Sequence, residues 1–284
     1  MIHLRNDALR LELVPEQGAS VLGMDFLGAS GWQPVLVPDI HQPTGALASG
    51  LFWMLPFANR ARNNRLHDIR LLPNTLEPLA LHGTAWQKPW TIDAVDETSA
   101  SLTLRAENPF LYSAGLKVQL QGSTCKTQLW IRNEAGQDIP AGMGAHPYFP
   151  RLSDTRMQFS ASQFYLEGPD HLPTEVIQLP PELDFSVAAV LPTSWRNNAY
   201  GGWNGRATIT QPSLGYQLSM IADEGLRELM FYTDPALPRF ALEPQSHTSG
   251  ATLQAVAAPQ VGLSVLHPGQ TMAVRLSLTL STLS

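Results

Sequence analysis

Near its C-terminus the chain carries the pattern that most restricts its fold: Met272, Val274, Leu276, Leu278 and Leu280 alternate with Ala273, Arg275, Ser277 and Thr279. A period of two puts the large apolar side chains on one face of an extended segment. That predicts a strand with one side on a core and the other in water. The alternation recurs in Leu9-Leu11-Leu13, Trp90-Ile92-Ala94, Leu102-Leu104-Ala106 and Leu116-Val118-Leu120, with breakers such as Asn108-Pro109 and Gln121-Gly122 separating the runs. Helical periodicity is scarce. Only residues 174–178 and 223–226 invite a helical reading, and neither joins a full capping box to an apolar stripe.

Many short strands without βαβ alternation predict an all-β protein, a large antiparallel β-sandwich with few short helices. No internal repeat, Gly/Ser linker or charge block divides the chain, so one domain over residues 1–284 is expected. The proline-rich stretch 171–192 reads as a surface excursion within it.

Composition narrows the function classes. Charged residues make up only 15% and the net charge is -6 with no basic run, which argues against a nucleic-acid partner. Cys125 is the only cysteine, excluding an intramolecular disulfide framework and a CxxC-type zinc site. No apolar run reaches the length of a membrane span, and the N-terminal residues show no basic-then-apolar export pattern. The expectation is a cytoplasmic protein with a small-molecule ligand, no membrane or nucleic-acid partner, and a monomeric or homodimeric state.

Four stretches combine polar or titratable residues with glycine or aromatics. In Phe57-Ala58-Asn59-Arg60-Ala61-Arg62-Asn63-Asn64-Arg65 an apolar run gives way to amides and guanidinium forks able to bind a polyhydroxyl ligand. Asn59 and Arg60 are best placed to point inward; Arg62 and Arg65 fit a solvated turn. In Leu81-His82-Gly83-Thr84-Ala85-Trp86, glycine permits close approach beside a histidine and Trp86 offers a flat face for sugar stacking. The alternative there is a structural histidine with core tryptophans. The third stretch is Gly144-Ala145-His146-Pro147-Tyr148-Phe149, and the fourth is Leu242-Glu243-Pro244-Gln245. Proline disfavours a helical residue before it and lacks the N–H a central strand needs, so His146 and Glu243 are both predicted at strand ends. A carboxylate and an imidazole so fixed suit paired general acid/base chemistry. His247, four residues past Glu243, shares no predicted face with it. Phosphate loops, nucleophile elbows and metal-spaced His/Glu helices are missing from the sequence.

In this order the four motifs resemble the aldose 1-epimerase (galactose mutarotase) family, with a weaker likeness in Asn197-Asn198-Ala199-Tyr200-Gly201-Gly202-Trp203. The resemblance implies a sandwich with its site on an open concave face. It implies that Arg60, Asn59 and His82 hold sugar hydroxyls, that His146 acts as general acid on the ring oxygen, and that Glu243 acts as general base on the anomeric hydroxyl. No cofactor or metal is implied. Two departures matter. Asn197 stands where the family usually carries an aspartate contacting the sugar, leaving a sugar-binding protein without turnover as an alternative. Ala85-Trp86 follows the His-Gly motif where the related hexose-6-phosphate epimerases carry an arginine, which favours an unphosphorylated hexose unless Arg62 or Arg65 supplies a phosphate contact.

Overall fold

A computed structural model describes residues 1–41, 45–250 and 262–283. The described residues form two large antiparallel sheets and no helix longer than a single 3₁₀ turn. The first sheet has eleven strands. Its hydrogen-bonded order passes from Ile2–Arg5, Leu9–Val14 and Ser20–Gly28 through Leu51–Met54, Gly144–Pro150, Arg239–Gln245, Glu228–Thr233 and Arg196–Gly201 to Gln163–Glu167 and Pro173–Ile177. Gly31–Leu36 branches from Ser20–Gly28. The second sheet has nine strands, with Thr271–Thr282 at its centre between Tyr216–Ala222 and Thr124–Asn133.

The alternation in the sequence becomes the layering. In Thr271–Thr282 the residues Val274, Leu276, Leu278 and Leu280 are buried, while Arg275 is exposed and Ser277 and Thr279 are half-buried. These apolar faces join the inner faces of the eleven-stranded sheet in one core that includes Trp53, Phe149, Tyr200, Phe231 and Phe240. Removing such area from water at about 25 cal/mol per Å² is the main stabilising term for a fold with so little local helical structure. One expected strand departs from its pattern. Thr91–Val95 is the end strand of its sheet, shifts register between Ile92 and Ala94, and leaves Ile92 exposed.

Three other local expectations change. Residues 174–178, read as a short helix or loop, fall largely in the strand Pro173–Ile177, which pairs with Gln163–Glu167. Residues 223–226 form a turn. Glu243 lies inside the central strand Arg239–Gln245, and His146 is likewise inside Gly144–Pro150, where both were expected at strand ends. The prolines are accommodated because the ladder between these two strands pairs Gly144 with Gln245 and Tyr148 with Ala241 but is interrupted between those points. Pro147 and Pro244 fall in the interruption, so the N–H groups they lack are not needed there.

Candidate active site

The central strands of the eleven-stranded sheet are buried on both faces; every residue of Arg239–Gln245 is buried. Side chains alternate along a strand, so Arg239, Ala241, Glu243 and Gln245 point away from the core, as do His146 and Tyr148 on one neighbour and Glu228, Met230 and Tyr232 on the other. Loops cover this second face and leave a pocket of about 330 Å³.

His146 and Glu243 meet at the floor of this pocket, Nε2 to Oε1, at 3.1 Å. Gln245, two residues along on the same face, donates from Nε2 to the other carboxylate oxygen at 2.9 Å. The His146 ring stacks between Phe52 and Tyr148, with centroids 4.5 and 4.6 Å away. Its Nδ1 is buried without a partner among the described residues. Arg239 lies 3.8 Å over the Tyr148 ring and is held by Asp39 at 2.9 Å. Burial dominates the titration of the pair. It pushes Glu243 up to about 8, against smaller opposing effects of Gln245 and Arg60. It pushes His146 down to about 3, helped by the positive charge of Arg239. At neutral pH the pair therefore holds one dissociable proton between an acid and a base in hydrogen-bond contact.

A second wall comes from two chain segments joined by isolated bridges, Leu55 with Gly83 and Arg60 with Leu81. Gly83 has φ +69, and a Cβ there would stand 1.9 Å from the Leu55 carbonyl oxygen, so the close approach requires glycine. His82 accepts the Asn59 N–H on Nδ1 at 3.0 Å, which leaves Nε2 as the protonated nitrogen and a donor. Its pKa lies well below the usual imidazole value because of burial first, then the charges of His146 and Arg60. Asn59 Oδ1 accepts from the Arg60 backbone at 2.9 Å and from Ser249 at 3.0 Å. Arg60 makes a bidentate pair with Glu77 at 2.6 and 2.7 Å. Both Arg60 and Glu77 line the pocket.

The third wall comes from Asn197, His171 and Trp195. The stretch 171–192, read as a surface excursion, thus brings His171 to the pocket. Asn197 donates to Glu167 Oε1, which also bonds His171 Nδ1 at 2.9 Å. Trp86 stands outside the pocket wall. It packs against the cluster of Phe52, Met54 and Ala58, and its indole N–H donates to the Gly83 carbonyl at 3.1 Å. Arg62 bonds the Pro173 carbonyl at 2.8 Å and Arg65 lies at the surface, and neither lines the pocket.

The residues after Glu243 form a brace. Ser246 accepts the Met143 N–H at 2.9 Å, His247 Nε2 accepts the Ala58 N–H at 3.2 Å, and Thr248 donates to buried Glu228 at 2.8 Å. Burial holds the His247 imidazole down at about 4, so it is a neutral structural acceptor that fixes the turn leading into Asn59. Among the described residues no group of three or more His, Cys, Asp or Glu side chains is arranged to hold a metal ion. No helix among them is long and apolar enough to cross a membrane.

Sequence reasoning missed Glu77, Glu167, His171, Trp195 and Tyr232. Tyr232 was findable, since period two puts it on the same face as Glu243, on the strand paired with that of Glu243. Glu77, His171 and Trp195 come from connecting segments without a local signal.

Two packed antiparallel sheets with a polar pocket on the outer face of the larger one define the galactose mutarotase-like fold. Solved structures agree. One from Escherichia coli K12, provisionally assigned as an aldose 1-epimerase, is 30% identical and superposes with a TM-score of 0.89 over 99% of this chain and 98% of its own. An aldose epimerase homologue from C. elegans shares the fold at 17% identity, with a TM-score of 0.83 over 100% of this chain and 99% of that one. In sequence, an uncharacterised E. coli K12 protein, YphB, is 34% identical over 263 residues, covering 86% of this chain and 87% of its own length. The aldose 1-epimerase family model matches residues 1–279. The chain belongs to the aldose 1-epimerase family.

Proposed function

We propose that the protein interconverts the α and β anomers of a free hexose, with Glu243 as general base and His146 as general acid. The observation that carries this reading is the 3.1 Å contact between these two groups at the floor of the pocket. Ring opening needs a proton delivered to the ring oxygen and one taken from the anomeric hydroxyl. C1 then rotates and the ring closes on its other face. A pair holding one dissociable proton has the required inventory, since one member can give while the other accepts. Burial puts the resting proton on Glu243, so the assigned roles require it to pass to His146 along their contact when a sugar arrives. Each positioned proton transfer is worth about 10²- to 10⁴-fold.

His82 Nε2, Arg60 and Asn197 are the proposed hydroxyl contacts. Preference for an unphosphorylated sugar is supported by the pocket's charges. Its one arginine, Arg60, is occupied by Glu77, whose carboxylate faces the same space. Polarimetry tests the reading directly. Pure α-glucose or α-galactose should reach anomeric equilibrium faster with the protein than without it, and hexose 6-phosphates should be poor substrates. Saturable binding with no acceleration would instead identify a sugar-binding protein.

A further inference from the structure

We infer that Glu167 is a positioning residue for Asn197: it turns the Asn197 amide so that the carbonyl oxygen, and not the nitrogen, faces the pocket as a sugar-hydroxyl acceptor. The inference rests on the reading of the pocket as a sugar site, and extends it to a residue that does not belong to the four motifs. Glu167 ends the strand Gln163–Glu167, on the outer face that Tyr165 also occupies, and the ladder to Pro173–Ile177 shifts register between Leu166 and Glu167. The extra residue of this bulge, Thr174, lies on the partner strand, and such irregularities gather beside functional sites. The carboxylate lies in a small recess that shares Asn197 and His171 with the main pocket.

The hydrogen bonds then fix the chemistry. The bond runs from Asn197 Nδ2 to Glu167 Oε1, so the amide nitrogen donates and the carboxyl oxygen accepts. The other arm of the amide, Oδ1, accepts no hydrogen bond among the described residues, and Asn197 lines the pocket. His171 is tied to the same carboxylate oxygen at 2.9 Å, and its ring lies 5.6 Å from that of Trp195, so Glu167 organises the whole wall. An amide polarised from behind by a carboxylate presents an acceptor where a plain amide has no preferred orientation. The negative charge stands one hydrogen bond behind the sugar-facing atom.

This has a counter-intuitive consequence. Replacing Asn197 by aspartate brings a second carboxylate against Glu167 and removes the N–H that joined them, so it should harm sugar binding. Restoring a donor behind it should repair the damage.

The test is a double-mutant cycle of sugar binding, measured by calorimetry with galactose and glucose at pH 8. N197D should weaken binding by about tenfold, within the coupling expected of residues in one hydrogen-bond network. E167Q should have a smaller effect, because its amide oxygen can still accept from Asn197. The E167Q/N197D pair should recover most of the affinity, with the glutamine nitrogen donating to the aspartate. In turnover the N197D loss should appear in KM with kcat nearly unchanged, and thermal melting of each variant shows whether it is folded. N197D binding as tightly as the parent, or no recovery in the folded double variant, overturns the inference. Binding is read without turnover, so a parent that binds sugar but does not anomerise it refutes the proposed activity and leaves this cycle intact; a parent that binds neither sugar overturns both.

Discussion

The strands Thr271–Thr282 and Arg239–Gln245 each lie at the centre of a sheet, yet their second faces differ. In the first, Arg275 is exposed and Ser277 and Thr279 are half-buried; in the second, all seven residues are buried, polar ones included. The nine-stranded sheet is a half-buried wall whose outer face is open to solvent. The eleven-stranded sheet is covered on its outer face by connecting segments, and that cover removes water from Glu243, His146, Glu228 and His82. One sheet shows that alternation suffices for a core. The other shows that a site arises where a polar outer face is itself enclosed, because the missing water is what displaces the pKa values of these groups.

The largest test of this contrast is chemical. Glu243→Gln keeps the shape and the Gln245 neighbour but loses the proton site, and anomerisation should fall by about 10²- to 10⁴-fold by polarimetry. Activity equal to that of the parent would remove Glu243 as the base. Leu278→Ala, on the buried face of the plain sheet, should leave kcat and KM alone while costing about 2–5 kcal/mol of stability in denaturant unfolding.

Next in size are the pH effects. Turnover should decline as pH rises through about 8, where Glu243 and with it the pair loses its proton, and should show no acid limb from His146 above about pH 4 because that imidazole is held down near 3. The same burial sets a stability profile. Glu243 is raised, so its contribution is complete below its ordinary 4.5 and is lost as pH climbs to about 8; Glu228 behaves alike up to about 7. His146 and His247 are lowered, so theirs is complete above 6.5 and lost as pH falls towards about 3 and 4. Melting temperature should therefore decline on the alkaline side to about pH 8 in the parent, and level off nearer 7 in Glu243→Gln. An unchanged alkaline slope in that variant would show that Glu243 is not the group responsible. The smallest effect belongs to the open face: Lys117→Ala, exposed on Tyr112–Gln121, should shift stability by no more than about 0.5 kcal/mol.

The sequence alone determined the architecture, because a two-residue period is local information and survives any choice of partner strand. Leu276 must face a core whichever strands flank it. It also marked His146, Glu243, Asn59, Arg60 and His82, since proline, glycine and aromatic neighbours constrain the backbone around them. What it could not supply was contact. Pro244 read as a strand terminator because its missing N–H is costly only where a ladder partner waits, and the interruption opposite Pro147 exists only once two distant strands are aligned. Glu77, His171 and Trp195 reach the pocket from connecting segments with no period to betray them. Asn197 read as a lost charge, whereas packing puts Glu167 against it. Local patterns decided which faces are apolar. Only the tertiary structure decided which polar face is closed off from water, and there the titratable side chains of the pocket are brought together.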